Sequence, residues 1–324
     1  MRRIAIEYPD RSQMRFVDLG DPPPLKPTEI LIATRYTGIT NGTERHALLA
    51  EHGWTHFPGR HGYQNVGQVA AVGREVKVFK EGDWVYCGLY IGHRGWIVAD
   101  VGDAPAHAPG ASLILRLPDA MDHSLAALFG VAGVALRGVR RARVAAAQNV
   151  WVAGQGLIGL FCGQCAHALG ARVTVADVRP DRLAIAAAAG AHRTIDMREA
   201  AAWDELKAAG PYDTIVEACG AERIFLDIHE HALLAPGGVI LAIAVRSETT
   251  FHWATFHQRE ASIEVSCHFT LDDLRVLLHL VGEGRIQIAP VVSHRVPITE
   301  APRIYETLRD RPGELLGVIF DWSE

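Results

Sequence analysis

The stretch Asn149-Val150-Trp151-Val152-Ala153-Gly154-Gln155-Gly156-Leu157-Ile158-Gly159 carries the residue types of a phosphate-binding turn. Gly154 permits a tight turn, Gly156 removes the Cβ that would hold the backbone away from a pyrophosphate, and Gly159 lets helix and strand pack closely. The helix N-terminus then faces the phosphate charge. A second apolar segment, Val173-Thr174-Val175-Ala176, ends in Asp177, near the ~20-residue distance expected of the acid that accepts hydrogen bonds from an adenosine ribose. A free 2′-hydroxyl donates to that carboxylate and a 2′-phosphate is repelled by it, so the pattern leans to NAD over NADP. Arg179 and Arg182 pull the other way, because a guanidinium just past the acid can hold a phosphate; solvated residues at a helix start account for them equally well. The cofactor-binding candidates are Gly154, Gln155, Gly156, Leu157 and Ile158 at the turn, Asp177, Val178, Arg179 and Arg182 after the second strand, and Ala244 at the end of a later one.

Sulfur and imidazole chemistry has less support. Cys162-Gly163-Gln164-Cys165 has C-x-x-C spacing, but inside the helix that follows the glycine turn, where two thiols one turn apart pack against a sheet. His46, His52, His56, His61, His93 and Cys87 fall in one region, and such loops can improvise a metal site. His52 and His56 show H-x-x-x-H spacing, yet Gly53 and Pro58 argue against the helix that would align them. These histidines read first as surface or cleft residues.

The elements around these residues follow two grammars. Up to about Pro118 the chain alternates short strands with turns: Arg15-Phe16-Val17-Asp18-Leu19, Glu29-Ile30-Leu31-Ile32-Ala33-Thr34, Gly67 to Gly73 and Asp83 to Cys87. From about Met121, helices alternate with strands: a helix from Ser124 to Val139, the βαβ unit, then strands at Arg193-Thr194-Ile195-Asp196, Tyr212 to Glu217, Pro236 to Ala244 and Ser262 to Ser266. Strands separated by helices predict a doubly wound parallel sheet. A mixed tail follows, with a helix from Leu271 to Gly282, a strand from Val291 to Pro297, a helix from Ile298 to Leu308 and a strand from Leu316 to Trp322.

The 324 residues suit two domains, and 49% hydrophobic with 21% charged content is globular. A net charge of -5 gives no electrostatic reason to expect nucleic acid or an anionic membrane as partner. The five scattered cysteines form no disulfide framework and fit a reducing cytoplasm. The first residues lack a signal-peptide core and no apolar run is long enough to span a bilayer, so a soluble intracellular protein is expected.

With Asp21-Pro22-Pro23-Pro24, Glu29-Ile30-Leu31-Ile32, the Thr37-Gly38-Ile39 turn, Gly82-Asp83-Trp84-Val85, the nucleotide fold and Ser293-His294-Arg295, essentially the whole chain resembles the medium-chain dehydrogenase/reductase superfamily, the alcohol-dehydrogenase-like proteins. The resemblance implies an α/β fold: a doubly wound parallel Rossmann sheet at 122–267, and a discontinuous β-rich GroES-like catalytic domain from 1–121 and 268–324. Within the superfamily, Thr37-Gly38-Ile39-Thr40-Asn41-Gly42-Thr43-Glu44-Arg45 and Ile319-Phe320-Asp321-Trp322 are similar to the branch of the bacteriochlorophyllide dehydrogenases. Gly317 stands where the family usually carries a cation near the pyrophosphate.

Zinc members hold an open-site metal with a Cys after the Gly-Ile turn and a His-Glu pair further on. Here Thr40 or Asn41 takes the Cys place and Gly62-Tyr63-Gln64 that of Gly-His-Glu, and no Cys lies between Cys87 and Cys162 to build a structural zinc lobe. Zinc is therefore not expected. The resemblance implies a hydroxyl and a histidine that relay the substrate proton. The matching catalytic candidates are Thr43 on the substrate oxygen and His46 as the exit to solvent. A capping turn hydroxyl and a solvated loop imidazole are the plainer alternatives. Tyr63, at a ligand position, supplies an electrophilic hydrogen bond or packs in the cleft wall. Glu44 and Arg45 form a supporting ion pair, and Trp54, His56, Phe57, Tyr90 and Trp96 would line a cleft for a flat or cyclic compound.

The expectation is thus a zinc-independent oxidoreductase that moves a hydride between NAD(H), with NADP possible, and a secondary alcohol or ketone, as a cytoplasmic homodimer. A quinone or enone reductase using NADPH and a non-catalytic redox sensor are the rivals.

Overall fold

The structure, a computed structural model, describes residues 1–51, 53, 55–102 and 113–323. In chain order, β1 (Ile4–Glu7) pairs antiparallel with β2 (Arg15–Asp18), and β3 (Glu29–Gly38), α1 (Asn41–Leu48), β4 (Asn65–Val72), β5 (Trp84–Cys87), β6 (Trp96–Asp100) and β7 (Ile114–Arg116) follow. The expected helix from Ser124 to Val139 is a 3₁₀ segment, His123–Leu128, leading into α2 (Phe129–Arg141). Asp122 accepts a hydrogen bond from Ser124 N at 3.0 Å and so closes the tighter first turn. Next come β8 (Asn149–Ala153), α3 (Leu157–Ala168), β9 (Arg172–Asp177), α4 (Pro180–Ala188), β10 (Arg193–Asp196), α5 (Ala202–Ala209), β11 (Tyr212–Glu217), α6 (Ile224–Glu230), β12 (Leu234–Ala242), α7 (Trp253–His257) and β13 (Ser262–Val265). The chain ends with α8 (Leu271–Gly282), β14 (Val292–Pro297), α9 (Ala301–Asp310) and β15 (Gly317–Asp321).

Two compact units emerge. One holds Met1–Gly130, Thr270–Arg275 and the chain from Val292 onward; the other holds Val131–Phe269 and Val276–Val291. Compared with the expected boundaries, 122–130 falls in the first unit and 268–269 and 276–291 in the second. A reciprocal amide contact explains the second shift: Gln164 Nε2 on α3 donates to Gln287 O at 3.1 Å, and Gln287 N donates to Gln164 Oε1 at 2.6 Å.

In the first unit β3 is the spine of a seven-stranded sheet ordered β14-β15-β3-β4-β5-β7, with β6 also on β3. Its inward residues Ile30 and Ile32 meet Val69, Val85, Cys87 and Ile97 in one core, while Tyr8, Ile39, Leu48, Tyr305, Phe320 and Trp322 form another. In the second unit six parallel strands run in the order β10-β9-β8-β11-β12-β13, the doubly wound arrangement whose direction switches between β8 and β11. Among the described residues, no helix is long and apolar enough to cross a membrane.

Candidate active site

At the carboxyl end of β8, Gly154 has φ of +90°, and a Cβ there would fall 2.7 Å from Cys219 just past β11. A Cβ on Gly159 would fall 1.8 Å from the Gly154 carbonyl oxygen, so α3 starts in direct contact with the turn. Around Gly156, the N-cap of α3, a Cβ would meet nothing within 4 Å, and that face of the turn is open. Leu157 is buried and Ile158 half-buried. Gln155 is fully buried beneath the turn, its amide donating to Val152 O at 3.2 Å and Gly154 O at 3.0 Å.

Asp177 ends β9 almost buried. Its Oδ2 accepts from Gln155 N at 2.5 Å and its Oδ1 from Arg179 N at 2.8 Å, which leaves lone pairs for further donors. Val178 is exposed beside it. The Arg179 guanidinium grips Asp181 through two contacts of 2.8 Å, and this pairing pulls the Asp181 carboxyl down to about 2. Arg182 is half-buried in the first turn of α4, and Ala244, two residues past β12, donates from its N to Glu217 O at 3.2 Å.

Glu217 was missed in the sequence. It ends β11 fully buried, pairs with Arg246, and accepts from Gly220 N at 2.7 Å and Cys219 N at 3.2 Å. An acid closing an apolar strand, as Asp177 does, was the available signal. Cys219 is exposed, yet loss of water around its sulfur and, to a smaller extent, the neighbouring Glu217 charge push the thiol up to about 11. Cys162 and Cys165 are fully buried on α3 with raised thiol pKa, so they pack as the helix position predicts.

In the β-rich unit Thr43 and His46 lie on a helix, not on a loop: α1 spans Asn41–Leu48. Their three-residue spacing puts both on one face. His46 is one-third exposed, and its Nδ1 contacts Glu51. The expected Glu44–Arg45 pair does not form, because adjacent residues of a helix diverge. Arg45 reaches Glu51 at 3.6 Å, while Glu44 points into the core with no exposed surface. Its Oε2 accepts from Tyr305 OH at 2.5 Å and His93 Nε2 at 3.0 Å, and its Oε1 from Thr40 N at 2.8 Å. His93 is 1% exposed and His61 is also buried, which corrects the view of both as surface or cleft residues. Extending the inward alternation of Ile97 and Ala99 back through Gly95 would have found His93. His56 is exposed, whereas His52 lies outside the described residues.

Tyr63 is 5% exposed; its ring stacks on Tyr90 at 6.0 Å and its carbonyl accepts from Tyr86 OH at 2.9 Å. The aromatic set expected to line a cleft is not assembled: Phe57 packs against the core of Tyr8 and Tyr305, Trp96 is buried with its Nε1 donating to Gly20 O at 3.2 Å, and Tyr90 is exposed. Trp54 lies outside the described residues.

The side chains at the zinc-ligand positions do not fit that metal. Gln64 Nε2 donates to Gly38 O and Thr40 Oγ1, both at 3.2 Å, and Asn41 Nδ2 donates to Leu316 O at 2.9 Å and Leu315 O at 3.2 Å. Asn41 Oδ1 is buried without a hydrogen bond, and it is one amide oxygen where zinc takes Cys, His or carboxylate ligands. The surroundings are closed, since a Cβ on Gly130 would come within 2.7 Å of Tyr63 Cε2 and 2.8 Å of Gln64 Cγ. Among the described residues no group of three or more His, Cys, Asp or Glu could hold a metal ion.

Residues 26–100 match the alcohol dehydrogenase GroES-like domain, and residues 158–283 match the family described as zinc-binding dehydrogenase. The chain is 27% identical to a probable D-xylulose reductase A of Arthroderma otae over 88% of each chain, and 26% identical to the L-galactonate-5-dehydrogenase of Escherichia coli over 86% of this chain and 87% of that one. In fold it is similar, over 100% of both chains with a TM-score of 0.87 and 20% identity, to an Escherichia coli oxidoreductase/dehydrogenase of unknown specificity. The paired domains and the glycine turn at the sheet's switch point thus define a nicotinamide-dependent oxidoreductase. The chain belongs to the medium-chain dehydrogenase/reductase superfamily.

Proposed function

We propose that the enzyme is a zinc-independent dehydrogenase that moves a hydride between NAD(H) and a secondary alcohol or its ketone. The carrying observation is the donor set at the zinc-ligand positions, where Gln64 and Asn41 spend their amide protons on backbone and Thr40. When bound, nicotinamide supplies or takes up the hydride at the carbinol carbon. Thr43 then holds the substrate oxygen, Tyr63 adds a hydrogen bond where a metal would polarise it, and His46 passes the proton to solvent with Glu51 steadying the imidazolium.

The NAD preference is supported by Asp177, whose carboxylate repels a 2′-phosphate, and by the engagement of Arg179 with Asp181. Gly154, Gln155, Gly156, Leu157 and Ile158 would carry the pyrophosphate, Val178 and Arg182 the adenosine side, and Ala244 the nicotinamide side. The names of the relatives, a D-xylulose reductase and an L-galactonate dehydrogenase, favour a polyhydroxylated chain over a flat ring as substrate. Exposed Ile263 and Val265 on the edge strand β13 suit a homodimer, and the free cysteines suit a reducing cytoplasm.

The test is a panel of secondary alcohols, ketones and enones with NAD(H) and NADP(H), before and after chelation, alongside elemental analysis. NAD-linked alcohol oxidation that survives chelator without stoichiometric zinc is expected. One zinc per chain with chelator-sensitive turnover, or NADPH-linked enone reduction alone, overturns it.

A further inference from the structure

We infer that His93 is the positioning residue that fixes both Thr43 and Tyr63 in the β-rich unit. Glu44 is the chain neighbour of Thr43 on α1, and Gly62 is the chain neighbour of Tyr63. Both reach the same imidazole nitrogen: Glu44 Oε2 lies 3.0 Å from His93 Nε2, and a Cβ on Gly62, which has φ of +116°, would fall 2.9 Å from that atom and 3.6 Å from Glu44 Oε1. One ring therefore braces the helix that carries Thr43 and the turn that carries Tyr63.

The brace is directional. Trp322 Nε1 can only donate, and it donates to Thr37 Oγ1 at 2.9 Å. Thr37 Oγ1 lies 2.7 Å from His93 Nδ1 and can turn its own proton to that nitrogen, which leaves His93 Nε2–H to serve Glu44. Glu44 is acceptor throughout, taking Tyr305 OH at 2.5 Å and Thr40 N at 2.8 Å. The Nε2–H tautomer satisfies every one of these contacts. Trp322, Thr37, His93, Glu44 and Tyr305 come from separate segments, so the brace ties α1 to β3, to α9 and to the residue that follows β15. Because Thr43 and Tyr63 enter through the proposed reaction, the role of His93 in turnover rests on that reading; its role as a brace does not.

The experiment compares wild type with His93→Leu, His93→Gln, Gly62→Ala and Trp322→Phe in the full chain. Amide hydrogen exchange reads the brace itself. Faster exchange over 41–48 and 62–64 in His93→Leu and Gly62→Ala, with the nucleotide unit unchanged, is expected. Displacing reacting groups by an ångström costs about 100-fold, so turnover should fall about 10- to 100-fold in those two variants. NADH affinity should hold, the primary isotope effect of a deuterated alcohol should rise, and His93→Gln should recover part of the loss because its amide still donates to Glu44. Unchanged exchange over 41–48 and 62–64, or turnover within twofold of an active wild type in folded variants, overturns the inference. Should His93→Leu fail to fold, Gly62→Ala and Trp322→Phe carry the same comparisons. A wild type that oxidises no alcohol sinks the dehydrogenase reading alone, since exchange still decides the brace.

Discussion

In the nucleotide-binding unit the candidate residues sit where backbone does the work: a turn with φ of +90° at Gly154, the open face above Gly156, and α3 in contact with the Gly154 carbonyl. In the β-rich unit the candidates hang on side chains, with α1 held by Glu44, His93, Tyr305 and Thr37 drawn from far-separated segments. At Gly154 and Gly159 the backbone tolerates no added atom. A side-chain network tolerates substitution in proportion to the hydrogen bonds it loses.

The largest effect should follow from Gly159→Val. Its Cβ would lie 1.8 Å from the Gly154 carbonyl oxygen, a contact no rotamer relieves. Overpacking of this kind costs about 1–3 kcal/mol or more, and the displaced turn should lose NADH binding altogether, read by fluorescence titration and thermal melting. A variant that binds NADH normally would mean that the turn is as adaptable as the other unit's network.

In the β-rich unit Thr43→Val should lower turnover about 100-fold, the usual consequence of losing one transition-state hydrogen bond, with NADH affinity intact. His46→Ala should depress alcohol oxidation most at low pH, where proton release is hardest, with partial rescue by an external base. Steady-state kinetics across pH decide both. A mixed case is Asp177→Asn, a side-chain change made at a backbone turn. A hydrogen bond to a charged group contributes about 1.5–3 kcal/mol, so NAD affinity should weaken about 10-fold or more while NADP affinity rises. Parallel titrations measure the ratio.

The same contrast explains what could be read from the chain. Gly154, Gly156, Gly159 and Asp177 are local in sequence, and with the alternation of helices and strands they carried the second unit's doubly wound parallel sheet. Strand alternation carried the first unit's β-rich character. What stayed hidden were contacts between distant positions: nothing local pairs Glu44 with His93 or Tyr305, so the sequence pairs Glu44 with its neighbour Arg45 and reads the histidines as surface or cleft residues. Gln287 likewise joins the nucleotide unit through a single amide pair with Gln164, which composition does not reveal.

The smallest effect should come from His61, where the network's edge meets acid. His61 is buried, stacks on Tyr8 at 5.2 Å and places Nδ1 3.0 Å from Tyr90 OH. Burial pushes its pKa below the ordinary imidazole value, and the charge of Glu44 pulls it partly back. The unfolded chain takes up a proton near pH ~6.5, whereas the folded chain resists until a lower pH. Between those two values the unfolded state holds more protons, so stability falls as pH is lowered through the window and levels off beneath it. Asp181 and Asp196, held at about 2 by Arg179 and Arg198, titrate well below this range and do not contribute to it. Urea midpoints measured from neutral to mildly acidic pH should therefore decline less in His61→Gln than in wild type. Equal slopes would mean that His61 is solvated in solution, and that the buried polar network of the β-rich unit ends at His93.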